Sequence, residues 1–135
     1  MVPAEQSRYT PSLAHLSPVD KALVHKAQAI LDSNWLGNST KPAPNLYPYQ
    51  WSWDSGFIAM GLAHYAQARA MQELRSLFKA QWQNGLVPHI VFHHWNDGDQ
   101  VYFPGPDYWQ TAQSPFAPAH VATSGIIQPP VHATA

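Results

Sequence analysis

The sequence contains no cysteine and few charged residues. Without cysteine there is no disulfide framework and no thiolate chemistry, which is compatible with a reducing cytoplasm, the location we expect. Seven basic residues stand against eight acidic ones, for a formal net charge of −1, and neither sign forms a run. This balance argues against nucleic acid or an anionic membrane surface as a partner.

Long apolar runs are also missing. The longest, residues 57–63, is far shorter than the roughly 20 residues of a membrane-spanning helix. No apolar core follows the first residues, as it would in a secretory leader. The 135 residues allow one small domain at most.

What the sequence does contain is a dense aromatic segment, NLYPYQWSWDSGF, at residues 45–57. Aromatic faces cover the apolar C–H face of a pyranose ring, while Gln50 and Asp54 can hold its hydroxyl groups. This composition suits a sugar-binding site. In the structural alternative, the tryptophans begin a buried helix for which Asp54 is the N-cap.

Helical patterns flank this segment. An amphipathic helix is predicted over 18–34, with Ser17 as N-cap and an apolar stripe. The stripe consists of Val19, Leu23, Ala27, Ile30 and Leu31. A largely apolar helix is expected over 55–66, followed closely by an amphipathic helix over 68–82. The predicted buried face of the latter carries Met71, Leu74, Leu77, Phe78 and Trp82.

The remaining residues are predicted to be a terminal arm, a loop and the start of another helix. Residues 1–16 are predicted to form an N-terminal arm, leaving 17–135 as the folded domain. Residues 86–125 show no helical period but are rich in aromatic and histidine side chains, which indicates a loop that adds walls to a pocket, with a short extended piece at 87–92. A fourth helix is expected to begin within 126–135, and a chain ending one turn into it is expected to be the front part of a longer protein. The predicted class is all-α.

Three stretches carry a family resemblance. The sequence YPYQWSWDSGFIAMGLA at 47–63 resembles the N-terminal region of the mannosylglycerate and glucosylglycerate hydrolases of glycoside hydrolase family 63. The stretches QNGLVPHI at 83–90 and GIIQPP at 125–130 resemble the family in the same order. The resemblance implies an (α/α)6 barrel like that of trehalases and glucoamylases. Because twelve helices of about 12 residues do not fit here, the chain would form an incomplete (α/α)6 barrel, about the first third of the fold.

The resemblance also implies which residues contact a substrate. Tyr47, Trp51, Trp53 and Asp54 would line the subsite where the glycosidic bond breaks, with Asp54 holding hydroxyl groups. Polar contacts to the sugar or to the glycerate part would come from His89, Tyr102 and Gln128. Several of these residues also have a structural interpretation: His89 as a buried imidazole, Gln128 as a cap of the next helix, and either tryptophan as core.

The residues alone offer few candidates for catalysis. Glycoside hydrolysis needs two carboxyl groups about 5 to 9.5 Å apart. Glu73 is expected to be solvated on a charged helix face, and Asp97 and Asp99 lie in a turn sequence, so only Asp54 and Asp107 remain. In the resembled family, however, an aspartate acid and a glutamate base follow the part that matches this chain. We therefore expect no catalytic residue here.

A zinc site is the alternative use of the histidines. His89, His93 and His94, with Asp97 or Asp99, have ligand types and spacing found at zinc sites, but Pro88 and the β-branched residues after it disfavour the helix that this spacing needs. No metal and no cofactor are expected.

The predicted function is the N-terminal fragment of an inverting glycoside hydrolase acting on a small glycoside such as glucosylglycerate or mannosylglycerate, with the missing C-terminal part of the barrel as its partner. The alternatives are a non-catalytic carbohydrate-binding helical module and a truncated, non-functional product. A shift of cooperative unfolding on adding glucosylglycerate distinguishes these two.

Overall fold

A computed structural model describes residues 13–93, 95 and 102–135. Most of the predicted arm therefore lies outside the described residues, and so do His94, Asp97 and Asp99 of the alternative zinc site. The helices are α1 (Pro18–Ser33), α2 (Ser52–Ala63), α3 (Gln67–Lys79) and a short α4 (Pro106–Trp109). The strands are β1 (Gln50–Trp51), β2 (Ile90–Phe92) and β3 (Ala122–Thr123), and single 3-10 turns occupy Leu13–His15 and Thr111–Gln113.

Helix α1 begins as predicted but does not bury the predicted stripe. The Ser17 hydroxyl accepts a hydrogen bond from the Asp20 N–H at 3.2 Å, and Pro18 occupies the first helical position. None of the helix residues is buried, and Val19, Leu23 and Ile30 are 58–69% exposed. The helix instead packs Leu31 against α2, so no described part of the chain covers most of the stripe.

Helices α2 and α3 form the antiparallel hairpin expected from their short connection. Leu62, near the end of α2, shares an apolar cluster with Ala70, near the start of α3. At the other end, Ser55 of α2 contacts Glu73 in the middle of α3. The beginning of α2 therefore lies against the centre of α3.

The buried face of α3 differs from the prediction. It consists of Ala70, Glu73, Ser76 and Leu77. Met71 and Phe78, predicted to be core, are 45% and 42% exposed. The expectation that Glu73 is solvated is wrong, because this side chain has no exposed surface. A carboxyl group is buried here because the polar side chains of Gln50 and Ser55 face it.

A small antiparallel sheet corrects the all-α expectation. Its order is β1–β2–β3, with Trp51 opposite Ile90 and Val91 opposite Thr123. The predicted extended piece at 87–92 thus becomes the central strand. The pairing of β1 with β2 lies between segments distant in sequence, so the local pattern did not reveal it.

The predicted fourth helix is not observed. Residues 129–131 have no regular structure and 132–134 form a turn. This segment lies along the start of α2, where Val131 is close to Gly56. The two prolines suggested the first turn of a helix, but this segment is instead held by tertiary contacts.

Within the described residues, no helix is long and apolar enough to cross a membrane. No group of three histidine, cysteine, aspartate or glutamate side chains that could hold a metal occurs in this same part of the chain. The cytoplasmic location stays a prediction.

Candidate functional site at the start of helix α2

The predicted site residues Trp51, Trp53 and Asp54 lie at the junction between β1 and α2. Helix α2 begins at Ser52, three residues earlier than expected, and Trp51 in the N-cap position provides no side-chain cap. Asp54 therefore lies inside the first turn and is not the N-cap. The free N–H groups of this turn find other acceptors: Ser52 N–H donates to the His89 carbonyl at 3.0 Å, and Trp53 N–H donates to Gln128 Oε1 at 2.9 Å.

Trp51 is the centre of an aromatic cluster. It is 4% exposed and belongs to the core group with Tyr49, Ile90 and Phe92. Four rings surround it, and their centroid distances are 5.2 Å for Tyr47, 5.5 Å for Tyr102, 6.3 Å for His89 and 6.4 Å for Tyr49. The structure thus brings together four predicted site residues, three of which are far apart in sequence.

Trp53 and Asp54 lie in the first turn of α2 and are less buried than Trp51. The Trp53 side chain is 40% exposed and packs against the ring of Phe57, at a centroid distance of 5.5 Å. Asp54 is half-buried, and this burial raises the pKa of its carboxyl group, a shift that a backbone hydrogen bond opposes. An exposed indole beside a partly desolvated carboxyl group can receive a ligand without rearranging the core.

His89 is the link between the sheet and the end of the chain. Its N–H donates to the Ile126 carbonyl at 2.7 Å, and its ring lies between Trp51 and Trp109, 6.3 Å from each. Burial lowers the pKa of this imidazole, so the neutral ring dominates at neutral pH. The Nδ1 atom is buried and has no hydrogen-bond partner among the described residues.

Gln50 lies behind this surface and not on it. The side chain has no exposed surface. Its Nε2 donates to Glu73 Oε1 at 3.0 Å and to the Glu73 carbonyl at 2.9 Å, while its Oε1 is 2.8 Å from His93 Nε2. Both ends of the amide are therefore used inside the protein, and this position does not support the predicted direct contact with a sugar.

The segment after β3 closes over the start of α2. Gln128 is half-buried and accepts from Trp53, so it caps α2 and not a following helix. His132 Nε2 lies 2.9 Å from the Ser52 hydroxyl and 3.2 Å from the Ser52 carbonyl. This segment ties the predicted site to the opposite end of the chain.

The two candidate carboxyl groups, Asp54 and Asp107, do not line the same cavity. Asp107 is exposed in the first turn of α4 and lines a cavity of about 960 Å³. This cavity also contacts Phe92, Trp95 and the loop at 110–122, but neither Trp53 nor Asp54 lines it. Because Phe92 belongs to the Trp51 cluster and Trp95 packs against it, the cavity adjoins that cluster, while Trp53 and Asp54 lie outside its lining.

Sequence reasoning missed several residues of this region. Tyr49 and Trp109 pack directly on predicted site residues, and Glu73 supports them from below. The spacing could have revealed Glu73, because it lies three residues after Ala70 and four before Leu77 on one helix face. Trp109 belongs to the aromatic-rich loop that was expected to add walls to a pocket, but it was not predicted as a site residue.

The chain is similar to known glycoside hydrolases. The family model for the mannosylglycerate hydrolase MGH1-like glycoside hydrolase domain matches residues 47–135. A mannosylglycerate hydrolase of Rubrobacter radiotolerans is 55% identical over 118 residues, which are 87% of this chain and 26% of that relative. A glucosylglycerate hydrolase of Mycolicibacterium hassiacum is 52% identical over 114 residues, or 84% of this chain and 25% of that relative.

Solved structures of a mannosylglycerate hydrolase also resemble this chain. The glycoside hydrolase family 63 mannosylglycerate hydrolase from Thermus thermophilus in complex with Tris superposes with a TM-score of 0.72 at 49% identity, covering 83% of this chain and 25% of that one. Its complex with Tris and D-glycerate gives 0.68 at 50% identity, covering 83% and 24%. This chain therefore spans about a quarter of the length of the relatives that it matches.

Proposed function

Since the chain belongs to the mannosylglycerate hydrolase MGH1-like glycoside hydrolase family, we propose that it is the N-terminal part of an inverting glycoside hydrolase. The proposed substrate is a small glycoside such as glucosylglycerate or mannosylglycerate. The relatives named for these two activities, and the Thermus structures described as complexes with D-glycerate and with glucose, support this choice.

The observation that carries the proposal is the arrangement around Trp51. A partly exposed indole, Trp53, stands next to a half-buried carboxyl group, Asp54, on a first helical turn held by other segments. We propose that the Trp53 ring covers the C–H face of the pyranose, and that Asp54 accepts hydrogen bonds from its hydroxyl groups. Trp51 supports this surface from within the core, and Tyr47, which is 42% exposed, extends it.

The remaining predicted contacts come from the segments that join α2. His89, Tyr102 and Gln128 are half-buried and lie around Trp51 and Trp53. We assign the half-buried imidazole of His89, the hydroxyl of Tyr102 and the amide N–H groups of Gln128 to the sugar or to the glycerate. Gln50 acts as a support for these residues and does not contact the substrate.

We propose that the general acid and the general base come from outside this chain. Glu73 is fully buried within its hydrogen-bond network, and Asp54 is used for binding. The exposed stripe of α1 and the exposed Met71 and Phe78 of α3 are the surfaces that the rest of an (α/α)6 barrel would cover. In that barrel α2 belongs to the inner ring and α3 to the outer ring.

A titration of the purified chain tests the binding proposal. Addition of glucosylglycerate or mannosylglycerate is expected to change tryptophan fluorescence and to raise the midpoint of thermal unfolding. Trp53→Ala and Asp54→Asn are expected to abolish both effects. Trp35→Phe is the matched control, because it removes a tryptophan that packs on Arg69 and not on the proposed site. The centroid of the Trp35 ring lies 4.6 Å from Arg69 Cζ. If neither ligand binds the wild-type chain, the binding proposal is wrong.

An assay for released glycerate tests the catalytic part. We expect no hydrolysis by this chain alone, because a pair of carboxyl groups is needed. Hydrolysis that disappears in Asp54→Asn would instead place a catalytic group in this chain. Binding without hydrolysis also fits the second candidate, a carbohydrate-binding module, which the exposed Trp53 favours. Coding sequence after Ala135 that continues the family pattern would decide for the enzyme.

A further inference from the structure

The sugar contacts proposed above leave one buried carboxyl group without a role. Glu73 lies in the middle of α3 and has no exposed surface. No arginine, lysine or histidine forms an ion pair with it among the described residues, where the single salt bridge joins Arg69 and Asp32. Burying a carboxyl group costs free energy unless hydrogen bonds replace its hydration, so an apolar side chain would serve packing alone better.

The hydrogen bonds of Glu73 converge on the sugar-binding segment. A single oxygen, Oε1, accepts from the Ser55 hydroxyl at 2.6 Å and from Gln50 Nε2 at 3.0 Å. Gln50 directly precedes Trp51, and Ser55 directly follows Asp54. Both ends of the segment 51–54 are therefore attached to one atom on the neighbouring helix.

The Gln50 amide cannot easily leave this arrangement. Its Nε2 also lies 2.9 Å from the Glu73 carbonyl and 3.0 Å from the Ser55 hydroxyl oxygen, so its two hydrogens are shared among three acceptors. On the opposite side, its Oε1 accepts from His93 Nε2 at 2.8 Å, which assigns a proton to that ring nitrogen. Although Glu73 Oε2 is buried without a hydrogen-bond partner among the described residues, the bonds of Oε1 and of the Gln50 amide together fix where β1 turns into α2.

We propose that Glu73 is a positioning residue for the sugar site, whose buried carboxyl group sets the direction in which Trp53 and Asp54 leave the β1–α2 junction. The inference rests on the proposed function for its biological meaning. The contacts of Glu73 with Gln50 and Ser55 are independent of it.

Two variants and one control separate positioning from general stability. Glu73→Ala removes the shared acceptor, whereas Glu73→Gln keeps a side-chain carbonyl oxygen at the same distance along the chain. The control is Thr123→Val, which removes another buried hydrogen bond, the 3.0 Å bond from Trp82 Nε1, away from the segment 51–54. All three are compared with wild type by NMR, using the Trp53 indole signal and the hydrogen exchange of the Trp53 amide, and by titration with mannosylglycerate.

Glu73→Ala is expected to speed exchange of the Trp53 amide and to weaken mannosylglycerate binding, each by about tenfold. Glu73→Gln is expected to stay within about twofold of wild type for both, because the acceptor oxygen remains. Thr123→Val is expected to leave both measurements unchanged even if its unfolding midpoint falls. If Glu73→Ala does not fold, Ser55→Ala, which removes one of the two donors, is measured in its place and is expected to show a smaller effect of the same sign.

Wild-type exchange and affinity in a folded Glu73→Ala or Ser55→Ala protein would overturn the proposal. Equal effects from Thr123→Val would do so as well, because they would reduce the role of Glu73 to stability. A wild-type chain that binds no mannosylglycerate refutes the proposed function instead. The exchange comparison would then still decide whether Glu73 holds Trp53 in place.

Discussion

The side-chain oxygen of Gln128 accepts a 2.9 Å hydrogen bond from the backbone N–H of Trp53, 75 residues earlier in the chain. This bond replaces the side-chain cap that Trp51 cannot provide at the start of α2. The same first turn carries the proposed sugar contacts. A hydrogen bond therefore joins the proposed site to the last part of the described chain.

Gln128→Ala is expected to lower the free energy of unfolding by about 1 kcal/mol, the usual effect of losing an N-terminal cap. Gln128→Glu keeps an acceptor oxygen near the positive end of the helix dipole and is expected to be close to wild type at neutral pH. Urea denaturation of the three proteins measures both values. Equal stability of the alanine variant and wild type would mean that water replaces this cap without loss.

Gly56→Ala is expected to destabilise the protein by about 1 to 3 kcal/mol, because the added methyl group overfills a packed contact. A Cβ at this position would lie 2.7 Å from Val131 Cγ2. Gly61→Ala on the same helix is the matched control, since its Cβ would meet Leu31 Cδ1 at an ordinary 3.7 Å. That variant is expected to be neutral or slightly stabilising, because alanine favours helix.

The clash predicts a specific rescue. Adding Val131→Ala to Gly56→Ala removes the atom in the way, so the double variant is expected to regain part of the lost stability. Thermal unfolding followed by circular dichroism gives the stabilities of wild type, Gly56→Ala, Val131→Ala and the double variant. Strictly additive losses would show that the segment around Val131 does not rest on α2 in solution.

The two tryptophans of the segment are expected to respond in opposite ways. Trp51 is 4% exposed, so Trp51→Ala should cost about 3 to 5 kcal/mol and unfold much of the population. Trp53 is 40% exposed, so Trp53→Ala should retain most of the stability while losing the response to mannosylglycerate. Chemical denaturation and fluorescence titration measure the two properties separately. A Trp53→Ala protein that binds like wild type would remove this indole from the site.

The pH dependence of stability is expected to carry the signature of Glu73. Burial raises the pKa of this carboxyl group in the folded protein, and hydrogen bonds, first that from Ser55, oppose the shift. A raised folded pKa means that the folded state binds more protons than the unfolded state above the ordinary pKa of 4.5. This group therefore favours folding more as pH falls through its folded pKa towards 4.5, and less as pH rises.

Glu73→Gln isolates that contribution, because the amide does not titrate. The stability of wild type relative to this variant is expected to increase as pH is lowered from 7 to about 4.5. Unfolding midpoints of both proteins across this range give the difference directly. A relative stability that falls on acidification would indicate that the folded pKa of Glu73 lies below its ordinary value.

Much of the helical framework followed from local patterns. Ser17 and Pro18 start α1 where the capping pattern placed it, and the short connection after α2 gave an antiparallel hairpin. These features depend on residues within a few positions of each other. For the same reason, the resemblance carried by 47–63 identified the family without any structure.

The errors arose where a residue's surroundings come from distant parts of the chain. Glu73 was expected in solvent, yet it is buried and accepts a hydrogen bond from Gln50, 23 residues earlier in the chain. The stripe of α1 has the right spacing for burial, but no described element of this chain covers it. Periodicity shows that a face is apolar and leaves open which neighbour meets it.

By itself, the order of residues determined the family, the helical hairpin and the presence of an aromatic segment with a carboxylate. Only the tertiary structure decided which of these side chains face outward, because their burial depends on contacts of β2, α3 and the residues around Gln128 with the aromatic segment. Residues far apart in sequence satisfy the polar groups at the start of α2. Trp53 and Asp54 are left at least partly exposed there, and Gln50 is not.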